Sequence, residues 1–143
     1  MKSNGKVVVV TGAGNGMGRQ TCLELLRRGA RVAGVDIKQE ALDETKRIAG
    51  VTDEAFVPFM ADISDQQAVA NLAQKVVAYF GHVDGLINVA GIINKFKKVS
   101  ELSYEDFHKV FGVNFYGTVH MVKEFLPFLL KRSEAQILNI SSM

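Results

Sequence analysis

Apolar positions along this chain alternate between two rhythms. Residues 6–12, KVVVVTG, hold a continuous run of valines ending in threonine and glycine. That is the pattern of a strand buried on both faces, as in parallel sheets. From about residue 16 to residue 28 the spacing turns helical, and Gly29 supplies a C-terminal cap. RVAGVD predicts a second strand ending at Asp36, and residues 39–48 a short helix followed by Gly50. AFVPFMAD predicts a third strand, but Pro58 cannot donate to a ladder, which assigns this strand to a sheet edge. The clearest helix puts Val69, Leu72, Ala73, Val76, Val77 and Phe80 on one face. Ser64 and Gln67 predict a capping box at its start, and Gly81 its stop. DGLINVAG predicts a fourth buried strand, followed by a loop through IINKFKKVSEL. Ser103, with Asp106 three residues on, opens a long helix expected to reach about Arg132 and to kink or split at Pro127. QILNIS predicts the fifth strand.

The order β-α-β-α-β-α-β-α-β calls for a parallel sheet with right-handed crossovers. The expected class is α/β: a doubly wound, Rossmann-type sheet with strand order 3-2-1-4-5, which puts the Pro58 strand at an edge. Residues 1–143 are expected to form one such domain, left incomplete because the fold usually continues to a sixth strand. Hydrophobic residues at 48% and charged residues at 22% suit a soluble globular chain. The net charge of +2 gives no basis for nucleic-acid binding, and no segment approaches the ~18 apolar residues of a membrane span. Neither partner is expected. The lysines of NKFKK, residues 94–98, read as a solvated loop or a small basic patch. A single cysteine, Cys22, excludes an internal disulfide and fits a reducing, cytoplasmic setting; its place in a helical apolar pattern makes it a core residue.

The candidate chemistry begins in TGAGNGMG, with glycines at 12, 14, 16 and 18 between the first strand and the first helix. Such a turn lets the backbone approach a pyrophosphate at a helix N-terminus. G-x-G-x-x-G does not fit, because its last position falls on Met17 or Arg19; T-G-x-x-x-G-x-G does. There is no G-K-[ST], which disfavours a P-loop nucleotidase. Asp36 can accept both ribose hydroxyls of an adenosine and repel a 2′-phosphate, or it can serve as an N-cap for the next helix. Lys38, two residues on, softens the first preference. The expected cofactor is NAD rather than NADP.

TGAGNGMG, Asp36, ADI at 61–63, NVAG at 88–91, VNFYG at 113–117 and NISS at 139–142 occur in this order. Together they resemble the short-chain dehydrogenase/reductase family over the whole chain, with NVAG departing slightly from the commoner N-N-A-G. The resemblance implies hydride transfer between NAD and a small alcohol or ketone substrate, in a homo-oligomer. It implies a cofactor site of Gly12, Asn15, Gly16, Met17, Gly18, Asp36, Ile37, Asp62, Ile63, Asn88, Ala90 and Gly91. Among these, Gly12, Gly16 and Gly18 shape the pyrophosphate turn, and Asp62 and Ile63 lie at the adenine ring. Asn88, Ala90 and Gly91 line the cleft. Asn114 and Ser142 are the implied catalytic residues, Ser142 orienting the substrate carbonyl or alcohol.

Read without the family, these residues keep other uses. Asn114 shares a helical stripe with Phe107, Phe111, Thr118, Met121 and Phe125. A carboxamide on an inward stripe needs hydrogen-bond partners, and a locally satisfied core amide meets that need too. Serines commonly end strands and cap helices, and Ser142 lies outside any G-x-S-x-G, against a hydrolase. His82, His108 and His120 lack ligand spacing, and no metal is expected. The family's Tyr-x-x-x-Lys pair is absent: the residues four beyond Tyr79, Tyr104 and Tyr116 are Val83, His108 and His120. The chain is therefore expected to be a truncated front portion of such an enzyme, inactive alone and prone to self-association. A dinucleotide-binding module without turnover and an interaction protein remain the alternative readings.

Overall fold

The computed structural model of the protein describes residues 2–94 and 96–141. Five strands, β1 (Val7–Thr11), β2 (Arg31–Asp36), β3 (Phe56–Met60), β4 (Gly85–Asn88) and β5 (Gln136–Asn139), form one parallel sheet ordered β3-β2-β1-β4-β5. Alternation of side chains along each strand divides the core in two. On one face Val8 and Val10 of β1 and Val32 of β2 pack against Cys22 of α1 (Gly16–Arg27) and Leu42 of α2 (Gln39–Ala49). On the other, Val7, Val9, Ala33 and Val35 pack against α3 (Gln66–Phe80) and α5 (Thr118–Leu129) through Val69, Val76, Met121 and Phe125. Helices cover both faces, as the doubly wound pattern predicts. Pro58, opposite Gly34, lies on the edge strand β3, where a missing ladder donor costs least. Burial also pushes the Cys22 thiol up to about 12, so it stays protonated and inert in the core.

Three local expectations are corrected. The cap of α3 is Asp65, whose carboxylate accepts from Ala68 N at 3.0 Å, rather than Ser64. Ser64 is taken by Asp62, whose Oδ1 accepts from both its amide (2.9 Å) and its hydroxyl (2.7 Å). β4 is shorter than DGLINVAG, because beyond Asn88 the amides of Val89 and Ala90 turn to the Thr11 hydroxyl at 3.0 and 3.1 Å. The long helix is interrupted at residues 112–117 instead of at Pro127. After α4 (Tyr104–Phe111), which carries the predicted Ser103–Asp106 capping box, Gly112–Gly117 forms a π-helical turn, and α5 then runs through Pro127 to Leu129.

That extra-wide turn shifts the helical register. Met121 and Phe125 are buried as the stripe predicts, whereas Phe107, Phe111 and Asn114 are exposed. Of the crowded apolar residues at the end of α5, Phe125 and Leu129 enter the core and Leu130 does not.

One polar cluster sits inside the sheet's N-terminal rim. Asp84, 1% exposed, accepts from Val7 N (2.9 Å) and Arg132 Nε (2.7 Å), and His82 Nε2 lies 3.2 Å away. Its own backbone bonds Val7 O and Gln136 N, so one residue ties the starts of β1, β4 and β5 together.

Candidate functional site

The strands of a parallel sheet all deliver their C-terminal ends to one rim, and in a doubly wound sheet a crevice opens where the connections diverge. Here that point lies between β1 and β4. Thr11, the last residue of β1, is fully buried, and its Oγ1 holds the chain as it leaves β4. Gly12 follows with φ +68°, and a Cβ on it would stand 3.0 Å from Ala90 Cα. The first and fourth motif segments are thus in backbone contact, which only glycine permits at this conformation.

The turn then folds onto itself. A Cβ on Gly18 would meet Gly12 O at 2.0 Å, so α1 begins directly against the residue that left β1. Gly16, at φ +49°, has open space where its Cβ would project. Asn15 caps α1 by accepting from Gly16 N at 2.6 Å, and Met17 lies exposed beside it. The first-turn amides of α1 have no carbonyl within the helix to bond and carry the positive end of its dipole. An open glycine face over such amides suits a pyrophosphate.

Asp36 ends β2 beside this turn. Its Oδ2 accepts from Gly14 N (2.9 Å) and its Oδ1 from Lys38 N (3.1 Å). The carboxylate is therefore fixed against the glycine turn instead of capping α2, whose N-cap position, Lys38, makes no side-chain cap bond. Two oxygens with lone pairs to spare can still accept from a vicinal diol. Ile37, the next residue, is exposed.

Asn88, Gly91 and Asn114 approach from the β4 side of the crevice, whereas Asp62 and Ile63 follow β3. Asn88 Nδ2 donates to Asn139 Oδ1 at 2.8 Å, joining the ends of β4 and β5, and Ile140 N donates to Asn88 O at 2.9 Å. Asn88 Oδ1 is buried and has no partner among the described residues. Asn114, in the π-helical turn, pairs both ends of its carboxamide with one residue of the loop after β4. Its Oδ1 accepts from Ile92 N (2.8 Å) and its Nδ2 donates to Ile92 O (2.9 Å). A Cβ on Gly91 would lie 3.5 Å from Asn114 Oδ1. Asp62 is exposed, whereas Ile63 is buried under Gly117, whose Cβ would stand 2.7 Å from the Ile63 side chain. His120 Nδ1, in the tautomer protonated there, donates to Ile63 O at 2.9 Å. Ser142 lies outside the described residues; Ser141, before it, is exposed.

The candidates among the described residues thus gather along one rim, with Ile63 facing the core. The sequence reading gave no role to Thr11, Arg19, Thr45 or Asn139, although Thr11 and Asn139 lie within its quoted motifs. A threonine closing a buried strand just before a glycine was a usable sign of the first. The other three depend on tertiary partners that no local spacing shows. Among the described residues no three His, Cys, Asp or Glu side chains are grouped to hold a metal ion, and no helix is long and apolar enough to cross a membrane.

Residues 6–143 match the family described as short chain dehydrogenase. The chain is 36% identical, over 97% of its length, to a fatty acyl-CoA reductase of Acinetobacter baylyi, and covers 48% of that protein. A short chain dehydrogenase/reductase of Burkholderia phymatum solved in complex with NAD superposes with a TM-score of 0.92 at 33% identity, over 99% of this chain and 50% of that one. A Shigella flexneri short chain dehydrogenase complexed with NADP superposes with a TM-score of 0.90 at 26% identity, over 97% of this chain and 59% of that one. The chain spans about half the length of the curated relatives it matches.

Proposed function

Because the chain belongs to the short chain dehydrogenase family, we propose that its protein is an oxidoreductase that moves a hydride between a nicotinamide dinucleotide and the alcohol or ketone carbon of a small substrate, with NAD preferred to NADP. The bound dinucleotide supplies the hydride donor or acceptor. The chain's own residues bind and orient. Gly12, Gly16 and Gly18, with Asn15 and Met17 between them, admit the pyrophosphate to the first turn of α1. Asp36 accepts the adenosine ribose hydroxyls, with Ile37 and the Asp62–Ile63 segment at the adenine end. Asn88, Ala90 and Gly91 line the cleft, and Asn114 holds the loop after Gly91 in place. Ser142 orients the substrate oxygen. The exposed aromatic residues Phe111, Phe115 and Tyr116 supply a face for pairing with a second copy, which light scattering at micromolar concentration tests; a monomer would refute that pairing.

The observation that carries the cofactor preference is the Asp36 carboxylate bonded to Gly14 N. A fixed anion there accepts a ribose diol and repels a 2′-phosphate. NAD is expected to bind about tenfold or more tightly than NADP, and Asp36→Ala to narrow that ratio by weakening NAD and relieving the repulsion of NADP. Calorimetric titration of both dinucleotides against both proteins decides. Tighter NADP binding by the unmutated protein would overturn the preference.

A further inference from the structure

We infer that Arg19 and Thr45 form a brace that holds the glycine turn in its phosphate-accepting shape, which makes both of them positioning residues for dinucleotide binding; this rests on the reading of the turn as a dinucleotide site. Ala13 and Gly14, the two residues between Gly12 and Asn15, carry four backbone hydrogen-bonding groups. All four are paired within the protein. Ala13 N donates to Val35 O at 3.0 Å, and Gly14 N to Asp36 Oδ2 at 2.9 Å. Ala13 O accepts from the Thr45 hydroxyl at 2.9 Å, and Gly14 O accepts from Arg19 Nη2. The two amides are thus held by β2, while the two carbonyls are held by side chains alone.

Those side chains are joined to each other. Arg19 Nε donates to Thr45 Oγ1 at 3.0 Å, and the Thr45 proton is shared between Ala13 O and Ala41 O, the latter at 3.1 Å. Thr45 is fully buried, so no water replaces its hydroxyl. Arg19 lies one residue beyond Gly18, on the first helical turn itself. The guanidinium therefore ties α1, the turn and α2 into one unit. α2 also presses on the turn directly, since a Cβ on Gly14 would stand 2.6 Å from Ala41 Cβ. With both carbonyls drawn back by Thr45 and Arg19, neither oxygen is turned to an incoming anion, and its approach is left to the first-turn amides of α1. Without the brace the Gly14 carbonyl is free to rotate toward the phosphate, where it repels it, and the Ala13–Gly14 peptide plane keeps only its Gly14 N–Asp36 bond.

The test uses Thr45→Val, which keeps the shape and removes the hydroxyl, Arg19→Met, which keeps the stem and removes the donors, and Thr45→Ser as the conservative rescue. NAD affinity is measured by calorimetry well below each variant's unfolding midpoint, so that every molecule titrated is folded. Thr45→Val and Arg19→Met are each expected to weaken NAD about tenfold, and their combination to cost less than the product of the two, because they act on one unit. Thr45→Ser should recover most of the affinity. Amide exchange of Ala13 and Gly14 in the unliganded variants should rise about tenfold or more while that of Val8 and Val9 in β1 stays unchanged, a local loosening that general destabilisation does not produce. Unaltered NAD affinity in folded Thr45→Val and Arg19→Met would overturn the inference. If the unmutated protein bound no dinucleotide, the reading of the site would fall instead. The exchange rates would then judge the brace alone, and unchanged rates at Ala13 and Gly14 would overturn it.

Discussion

Replacing Gly18 with alanine is expected to lower dinucleotide affinity by about a hundredfold or more. The added Cβ would lie 2.0 Å from Gly12 O, 2.5 Å from Gly12 C and 3.2 Å from Ala13 N. These are backbone atoms, so no side chain can swing aside to make room. Gly18 sits in the first turn of α1 and Gly12 at the exit of β1, so relief requires the helix start and the turn to separate. That separation moves the amides proposed to face the phosphate out of alignment, and losing one or two hydrogen bonds to a charged group, at about 1.5–3 kcal/mol each, is enough for a loss of this size. Overpacking should also cost about 1–3 kcal/mol of stability. Titration with NAD, paired with urea unfolding of the same sample, separates the two effects. Unchanged affinity in a folded variant would mean that the close contact between Gly18 and Gly12 is not what shapes the turn.

The second large effect belongs to the opposite rim. Asp84→Asn is expected to destabilise the protein by about 3 kcal/mol at neutral pH. An asparagine oxygen could still accept from Val7 N, but its amide group would then face Arg132 Nε, donor against donor. The buried end of the Arg132 side chain would be left without its counter-ion, softened by the water that reaches its exposed part. The same carboxylate makes stability depend on pH. Burial alone would raise the pKa of Asp84, but the Val7 amide, the Arg132 guanidinium and His82 together hold it below the usual aspartate value. Between the folded and the unfolded pKa the unfolded chain binds more protons, so stability rises with pH across that interval. The contribution is complete above about pH 4–5 and fades as the pH falls through the lowered folded value. Urea titrations at neutral and acid pH should therefore show the gap between unmutated protein and Asp84→Asn shrinking on acidification. A gap that stayed constant would remove Asp84 as its source.

Much of this architecture was legible because it depends on burial patterns that repeat along the chain. The valines of β1 face alternately into two cores, so an unbroken run was the correct sign of a strand covered on both sides. Pro58 marked the edge for a reason that holds in any sheet. The glycine turn was legible because its glycines answer close contacts at Gly12, Gly14 and Gly18 and a positive φ at Gly16. What escaped reading was decided by competition between neighbours or by partners distant in sequence. In ADISDQQ both Ser64 and Asp65 can cap a helix; Asp62 captured the serine and left the aspartate to do it. The π-helical turn disturbs no hydrophobic period strongly enough to be seen. Its signs were the two glycines bracketing VNFY, one of them pressed on Ile63, and an asparagine whose partner, Ile92, lies 22 residues earlier. Thr45 looks like an ordinary helix residue until Ala13, 32 residues away, arrives beneath it.

The Asp84 cluster and the glycine turn occupy opposite ends of the same strand: Val7 opens β1 and Thr11 closes it. Five residues of buried strand run from a rim that secures the sheet to the rim proposed to meet the dinucleotide. Sequence change is thereby partitioned. Exposed positions on the crevice side, outside the glycine turn and the buried strand ends, can drift or be redesigned while the foundation at the far rim is left untouched. A library randomised at Asp36, Ile37 and the loop beyond Gly91 should consequently retain folded members far more often than one of equal size randomised at His82, Asp84 and Arg132.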